Sequence, residues 1–434
     1  MSDFRIKQVI INHIGAFEHL NLEFKEKIDK SKAEIHILTG ENGTGKSTIL
    51  EVLSSFQNPN LLTAKVHLDH LNKANFEVRT SSIQDYKDSL TGKITSFESF
   101  ISKFDSGHWS DGLDRRGLIF KYFDKWNNYQ FQTFDFALFA YSGYRRLQQS
   151  NINYISEISE NPLANSLDLG NSINPQIILQ WIANTKTKEA LAFTKNDLVK
   201  SESYKNTIDR IEQVICEITD LKIEFNLADN PLKVIINVDG VNLDFSTLPD
   251  GLKSIISWIT DLLMRMERLK WKTNEDIFDR NFVLFLDEIE IHLHPAWQRK
   301  VLPIIQRLFV NAQIIISTHS TFVTNSIDGA WIYKLKKEGH YSVLDGEPIL
   351  SENAKSYTTM LDEIFGISEQ FGEEVENDLK RFYKLKNYIL ANNKNGNLDE
   401  FQKLADNLRK QSIELESIIG MELRQMRKSG IELF

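Results

Sequence analysis

Short apolar runs alternate with amphipathic stretches along this chain, and together they predict an α/β fold. Residues 34–38 (EIHIL) contain β-branched residues and are typical of a short buried strand, and the segment KSTILEVLSSF behind the next loop repeats apolar residues at helical spacing. Two further apolar runs, at residues 282–286 and 314–316, are typical of central strands in a parallel sheet. We therefore expect a mixed sheet flanked by helices.

The segments between these runs predict two elaborations. Residues 56–136 contain strand-like pieces such as NFEVRT and GLIFKYF, and they predict an antiparallel β-lobe. Residues 150–230 are mostly helical by pattern, and this insertion is too short for a long coiled-coil arm. The segment PLKVIINVDGVNLDF predicts a hairpin that turns at Asp239 and Gly240.

The end of the chain has a different pattern from the rest. Residues 351–434 are charged and amphipathic, and they predict a C-terminal helical region. Residues 367–391 and 398–428 each read as one helix, so we expect a helical hairpin. Such a hairpin could pack as a cap on the preceding domain, or it could bind a partner protein.

Composition narrows the class of protein. The 434 residues are enough for two or three domains, and 41% of them are apolar, which predicts a large core. The formal net charge of −9 argues against a surface covered with DNA-binding groups. Cys216 is a lone cysteine, so no internal disulfide forms and a cytoplasmic setting fits. No signal peptide and no membrane span are expected from the sequence.

The stretch GENGTGKST has the form of a phosphate-binding loop, and it lies between a predicted strand and a predicted helix. In such a loop the backbone N–H groups surround the phosphates of ATP. Lys46 would reach the β- and γ-phosphates, and the Ser47 hydroxyl would bind Mg²⁺. The alternative is a chance glycine turn, which the two flanking elements disfavour. The predicted nucleotide-binding residues of the loop are Gly40, Asn42, Gly43, Thr44, Gly45, Lys46, Ser47 and Thr48.

Polar residues follow two of the predicted strands. Asp287 and Glu288 end the run at 282–286, where an aspartate can hold the hydration shell of Mg²⁺ and a glutamate can activate water. His319 follows the run at 314–316 and could contact the γ-phosphate or the attacking water. The alternatives are a pair of solvated carboxylates and a structural histidine. His292 and His294 lack a third metal ligand at a usual spacing, which disfavours a transition-metal site.

In their order, these motifs resemble the ABC-type ATPases of the SMC, Rad50, RecF and overcoming-lysogenization (OLD) group. GENGTGKST matches Walker A, LFLDE matches Walker B with its catalytic glutamate, and STHS matches the switch-histidine loop. The opening RIKQVIINHIGAFEHLNLEF looks like the N-terminal hairpin of that group, and EIHLHPAWQ resembles its D-loop. The resemblance covers about residues 1–50 and 230–335. It implies an ABC-type ATPase head over residues 1–350.

The resemblance also implies a signature motif at the start of a helix before Walker B, and FSTLPDGLKS is the candidate. Gly251 and Lys253 would then contact the nucleotide of a partner chain in trans. Pro249 stands where a serine is typical, and Asp250, the expected helix cap, adds a negative charge. By its position among the motifs, ALFAYSGYRRLQ could occupy the Q-loop region. Arg145 or Arg146 would then contact phosphate or a partner. The alternative is a solvated basic loop.

The resemblance implies an ATP-dependent homodimer or higher oligomer that hydrolyses ATP. No D-x-D motif of a Toprim nuclease occurs, so we expect no nuclease centre in this chain. The chain also resembles the stand-alone ATPases of the Septu, PARIS and retron antiphage systems, which are paired with a separate effector nuclease. This resemblance implies an ATPase that acts as a sensor and scaffold and restrains a separate effector, such as a nuclease. Two alternatives remain. One is a RecF-like DNA-repair clamp that binds DNA through Arg265, Arg268, Lys270 and Lys272. The other is an assembly protein that uses ATP as a static link between two copies.

Overall fold

A computed structural model describes residues 4–55, 58–87, 94–105, 108–111, 129–130, 132–143, 154–171, 173–391 and 398–429. The chain divides into two compact units, Met1–Met360 and Leu361–Phe434. In the part of the chain just given, no helix is long and apolar enough to cross a membrane. The predicted strand GLIFKYF and the predicted loop residues Arg145 and Arg146 lie outside the described residues.

The described strands are β1 (Ile6–Ile14), β2 (Phe17–Glu23), β3 (Glu34–Gly40), β4 (Asn75–Lys87), β5 (Ile94–Asp105), β6 (His108–Asp111), β7 (Ala137–Ser142), β8 (Ile223–Asp229), β9 (Leu232–Val238), β10 (Val241–Leu243), β11 (Phe282–Asp287), β12 (Ala312–Ser317), β13 (Trp331–Glu338), β14 (Tyr341–Leu344) and β15 (Ile349–Leu350). The described α-helices are α1 (Lys46–Ser54), α2 (Pro175–Thr194), α3 (Leu198–Thr219), α4 (Asp250–Arg268), α5 (Pro295–Leu308), α6 (Thr321–Thr324), α7 (Tyr357–Phe365), α8 (Glu373–Ala391), α9 (Leu398–Gln411) and α10 (Ile413–Lys428). Short 3-10 helices lie at Pro59–Lys65, Leu68–Lys73, Phe245–Thr247 and Ile277–Asp279.

A mixed sheet forms the centre of the first unit. Its described strands follow the order β14–β13–β3–β12–β11–β7, and β15 pairs with β13. The strands from β13 to β7 are parallel to one another, while β14 and β15 are antiparallel to β13. Strands β3, β11 and β12 are buried along nearly their whole length, as expected for central strands, although β3 also carries the polar residues Glu34, His36 and Thr39. The predicted α/β class with a mixed central sheet is therefore confirmed. The carboxyl ends of the five parallel strands meet at the same edge.

Two antiparallel sheets accompany the central one. In the first, the described strands follow the order β2–β1–β4–β5–β6, and β1 and β2 form the predicted N-terminal hairpin. In the second, the order is β10–β9–β8. The predicted hairpin turn between β9 and β10 is confirmed, since Asp239 and Gly240 both have positive φ, at 49° and 87°. This turn type needs positive φ at both central residues.

Helix α4 is buried along most of its length in the first unit, because apolar residues repeat along it and pack on nearly every turn. The predicted cap at its start is wrong by one residue. Pro249 is the N-cap residue and Asp250 is the first helical residue. The Asp250 carboxylate lies 3.6 Å from Lys253 Nζ, one turn along the helix.

Helices α8, α9 and α10 form the core of the second unit. The rings of Phe382 and Phe401 stack with centroids 4.8 Å apart, and Leu408 and Ile419 are buried beside them. The structure divides the predicted second helix into α9 and α10. Ser412 is the cause, since its backbone is extended and its hydroxyl accepts a hydrogen bond from Leu415 N, which caps α10. The expected two-helix hairpin is therefore a three-helix arrangement.

Candidate nucleotide-binding site

The loop between β3 and α1 closes around the side chain of Lys46. Gly45 has φ of 91° and is the N-cap residue of α1, a conformation that favours glycine. Lys46 Nζ donates hydrogen bonds to the carbonyl oxygens of Gly40 and Glu41, each at 2.9 Å. The loop therefore presents the start of a helix together with a buried ammonium group, which is the arrangement that binds phosphate in proteins.

The ammonium group of Lys46 lies in a strongly perturbed environment. Burial lowers its pKa to about 8, although Glu288, Asp287 and Glu290 oppose that change. Only 5% of the residue is exposed, so water compensates little of the charge. A phosphate anion in the loop would supply the missing stabilisation of the charged form.

Ser47, Asp287 and Ser317 are joined by hydrogen bonds at the carboxyl edge of the sheet. Ser47 Oγ donates to Asp287 Oδ1 at 3.0 Å, and Ser317 Oγ donates to the same oxygen. The Ser317 hydroxyl also accepts a hydrogen bond from Glu288 N at 2.9 Å. The phosphate-loop serine and the aspartate at the end of β11 therefore come together. A hydroxyl and a carboxylate are oxygen ligands of the kind that Mg²⁺ prefers.

Glu288 follows β11 in an unusual backbone conformation. Its φ is 48°, which is uncommon for a residue other than glycine. Burial raises the pKa of its carboxyl group and the neighbouring Asp287 raises it further, while Lys46 lowers it. A carboxylate with a raised pKa accepts protons more readily, which suits a group that activates water.

His319 lies at the same edge, at the end of β12. Its backbone N–H donates to Glu290 Oε1 at 2.6 Å. Burial lowers the pKa of the His319 imidazole, and Lys46 lowers it further against the effect of Asp287. The ring is therefore neutral near pH 7, when it can both donate and accept a hydrogen bond.

The other predicted residues of the phosphate loop differ in their exposure and contacts. Asn42 and Gly43 are exposed. Thr44 Oγ1 donates to the carbonyl of Glu41 at 2.8 Å and so stabilises the loop itself. Thr48 is buried against Gly15, where a β-carbon would lie 2.7 Å from Thr48 Cγ2. The side chain of Thr48 therefore joins α1 to the turn between β1 and β2.

Gly251 has a close neighbour within its own chain. A β-carbon at this position would lie 2.4 Å from the backbone oxygen of His292. Gly251 is therefore needed for the packing of α4 against the segment that follows β11. The contact of Gly251 and Lys253 with a partner's nucleotide stays a prediction. His294 Nδ1 accepts a hydrogen bond from Ala296 N at 3.2 Å and caps α5.

Each of the four basic residues suggested as a DNA-binding surface has a partner within the chain, but DNA binding through this cluster stays a prediction, since Lys270 and Lys272 are exposed. Arg265 is buried and bonds Asp261 at 2.6 Å, while Arg268 Nη2 donates to the carbonyl of Glu160. Lys270 Nζ donates to the carbonyl of Gln130 at 2.6 Å, and Lys272 Nζ lies 2.5 Å from a carboxylate oxygen of Asp135. These four residues are close in sequence because they lie at the end of α4 and in the loop after it. Their side chains bind segments that are distant in the sequence.

Sequence reasoning missed three contributors to the site. Ser317 bonds Asp287, Glu290 holds the backbone of His319, and Gly143 contacts Glu288. Ser317 could have been found, because it ends a buried strand beside His319. Glu290 lies two residues after Glu288, but its role depends on the turn that follows β11. The contact of Gly143 depends on the pairing of β7 with β11, which local pattern does not give.

Comparison with known proteins identifies the family. Residues 35–325 match the family model described as "AAA domain, putative AbiEii toxin, Type IV TA system". The chain is 21% identical to "Retron Ec83 probable ATPase" of Escherichia coli, over 88% of this chain and 79% of that protein. It is 25% identical to "Septu protein PtuA" of Bacillus thuringiensis, over 73% of this chain and 72% of that protein.

A third relative, "Retron Vc95 probable ATPase" of Vibrio cholerae serotype O1 biovar El Tor, is 24% identical over 74% of this chain and 72% of that protein. The family match includes the loop of Lys46, the end of β11 and the end of β12, so it contains the site described above. Because this match spans well over half of the chain, the protein belongs to this family of AAA-domain ATPases and is related to the retron and Septu proteins.

Proposed function

We propose that this protein binds ATP with Mg²⁺ at the loop between β3 and α1 and hydrolyses it. The observation that carries the proposal is the hydrogen bond from Ser47 to Asp287, beside the buried Lys46. Lys46 binds the β- and γ-phosphates. Ser47 and Asp287 hold the magnesium ion, with Ser47 as a direct ligand and Asp287 ordering its hydration shell.

Glu288 activates the attacking water in this proposal. Its raised pKa and its place beside Asp287 support a role as the group that accepts a proton. His319 contacts the γ-phosphate or the water, and the Glu290 carboxylate fixes the backbone from which that ring extends. When bound, Mg²⁺ would neutralise part of the negative charge of the phosphates. The backbone of Gly40, Asn42, Gly43, Thr44 and Gly45, with Thr48 at the helix start, completes the cradle.

We further propose that ATP closes a homodimer in which Gly251 and Lys253 contact the nucleotide of the partner chain. Hydrolysis would reopen the dimer, giving an element with two states that another protein can sense. The retron and Septu names of the relatives support a role in bacterial antiphage defence, beside a separate effector such as a nuclease. The protein would act in the cytoplasm, with residues 1–350 as the ATPase head and residues 351–434 as a separate helical region.

Phosphate release from ATP tests the proposed activity. Wild-type protein should release phosphate in the presence of Mg²⁺ and lose this activity on addition of a chelator. Lys46→Ala should lose nucleotide binding, while Glu288→Gln should bind ATP and fail to hydrolyse it. Lys336→Gln, a substitution on the exposed end of β13, is the matched control and should keep full activity. Hydrolysis that persists in Lys46→Ala would contradict the proposal.

A further inference from the structure

Strand β13 extends beyond its neighbour β3 and passes over the phosphate loop. Leu335 pairs with Gly40, the last residue of β3, so Lys336, Lys337 and Glu338 continue past the end of that strand. The ammonium group of Lys337 lies 3.4 Å from the place that a β-carbon would take at Gly43. A second lysine therefore lies against the phosphate loop, beside the Lys46 that the motif itself supplies.

The lysines of β13 differ in their partners. Lys334 and Lys336 both bind Asp345, with N–O distances of 3.5 and 2.9 Å. Side chains alternate along a strand, so Lys337 extends to the opposite face from these two. Among the residues that the structure describes, no carboxylate lies within ion-pairing distance of Lys337, and its side chain is exposed. Lys337 is therefore available to bind an anion, and Lys336 is not.

The charge of the site favours a second cation. Three carboxylates, those of Asp287, Glu288 and Glu290, act on the ammonium group of Lys46. ATP with one magnesium ion still carries net negative charge, so its binding adds negative charge to this group. Lys46 alone does not balance these charges. A second ammonium group near the loop would reduce the repulsion between the nucleotide and the carboxylates.

The order of strands indicates which part of the nucleotide Lys337 would meet. Asp287, Glu288 and His319 follow β11 and β12, which lie on one side of β3, while β13 lies on its other side. The groups assigned to the metal and to the attacking water are therefore on the β12 side of the loop. On this arrangement Lys337 would meet the other end of the phosphate chain, away from the bond that breaks.

We propose that Lys337 binds the α- and β-phosphates of the nucleotide and strengthens the binding of ADP and ATP alike. The inference rests on the proposed nucleotide binding at the loop of Lys46. Lys337 contributes affinity and does not take part in hydrolysis, because its contact is equal before and after the γ-phosphate leaves. The ammonium group of Lys337 already lies beside Gly43 of the loop, and from there its flexible side chain would contact bound phosphates.

Nucleotide titration of three variants tests this inference. The dissociation constants of fluorescent ADP and ATP analogues, with Mg²⁺, are measured for wild type, Lys337→Gln, Lys336→Gln and Lys46→Ala. We expect Lys337→Gln to weaken both nucleotides by about fivefold to tenfold, as for a charge-assisted hydrogen bond at a solvated site. The Lys336→Gln control should bind like wild type. At saturating ATP, Lys337→Gln should keep the wild-type kcat.

The outcomes separate the two proposals. Equal dissociation constants for Lys337→Gln and Lys336→Gln, or a loss confined to ATP, would overturn the role of Lys337. If Lys46→Ala binds both nucleotides as wild type does, the proposed site itself is wrong. Melting temperatures without nucleotide check that each variant folds. Lys337→Arg keeps the positive charge and should retain most of the nucleotide affinity. If Lys337→Gln acted only through the shape of the side chain, Lys337→Arg should weaken binding as well.

Discussion

Gly143 and Glu288 contact each other where β7 and β11 end. A β-carbon at position 143 would lie 2.4 Å from the backbone oxygen of Glu288 and 3.1 Å from its Cβ atom. Asp287 pairs with Ser142, so the pairing of the two strands brings the residues that follow them together. The left-handed backbone of Glu288, with φ of 48°, is therefore packed directly against a residue that has no side chain.

Gly143→Ala should displace Glu288 while leaving the phosphate loop intact. The added methyl group meets backbone, which cannot rotate away as a flexible side chain can. We expect kcat for ATP hydrolysis to fall by about tenfold or more, since small misplacements of a catalytic group are costly. The dissociation constant of ATP should change little. Gly372→Ala introduces the same group where no atom lies within 4 Å, and it should have wild-type kinetics. Wild-type kcat in Gly143→Ala would show that the contact is unimportant.

Nucleotide affinity should weaken as pH rises through about 8, which is the value to which burial lowers the pKa of Lys46. Below this pH the ammonium group is charged and binds phosphate, and above it the free protein must first take up a proton. Titration calorimetry from pH 7.5 to 9.5, in buffers of different ionisation enthalpy, should show this proton uptake. Lys46→Arg stays charged over this range, so its weaker affinity should be independent of pH. A flat profile for wild type would contradict the shifted pKa.

Lys253 is the better residue for testing contact between chains. Gly251 packs against His292 of its own chain, so a side chain there would disturb the protein whether or not it dimerises. Lys253→Glu avoids that clash. Lys46→Ala and Lys253→Glu should each be inactive alone, whereas a mixture should recover part of the ATPase activity, because one composite site of the mixed dimer is then intact. No recovery, with both variants folded and able to associate, would contradict the arrangement in trans.

Arg265 should matter for stability. Arg265→Met leaves the buried Asp261 carboxylate with Tyr141 but without its ion-pair partner. Loss of one member of a buried pair costs about 3–5 kcal/mol. Lys272→Met breaks a more exposed pair with Asp135, and we expect a change of about 1 kcal/mol or less. Urea denaturation measures both. If these residues instead served to bind DNA, both variants should be about as stable as each other, and both should bind DNA more weakly than the wild type.

The central strands and the phosphate loop could be predicted from the sequence because their signals are local. The apolar run of β11 and the glycine spacing around Lys46 each lie within a few residues. The contacts of Gly143 and Lys337 could not be predicted, since they depend on which strands are neighbours. The break at Ser412 was also missed, because the helical pattern continues through a residue whose side chain caps the next helix.

The basic cluster at the end of α4 shows a different limit. Four Lys and Arg residues within a short stretch favour an anion-binding surface by charge alone. The side chain of Arg265 is buried, however, and the Arg268 guanidinium donates to a backbone carbonyl. The carbonyl groups that accept these hydrogen bonds belong to residues 158–164, about a hundred positions away. The local sequence pattern therefore cannot predict these contacts.

The most direct test of the account is the mass of Glu288→Gln in solution with and without ATP. Removal of the carboxylate should stop hydrolysis while Lys46 and Ser47 still bind MgATP. Size-exclusion chromatography with light scattering should then show a persistent dimer or higher oligomer with ATP, and a smaller species with ADP. Lys46→Ala should not respond to either nucleotide. The same mass for Glu288→Gln with ATP, with ADP and without nucleotide, or hydrolysis at the wild-type rate, would contradict the account.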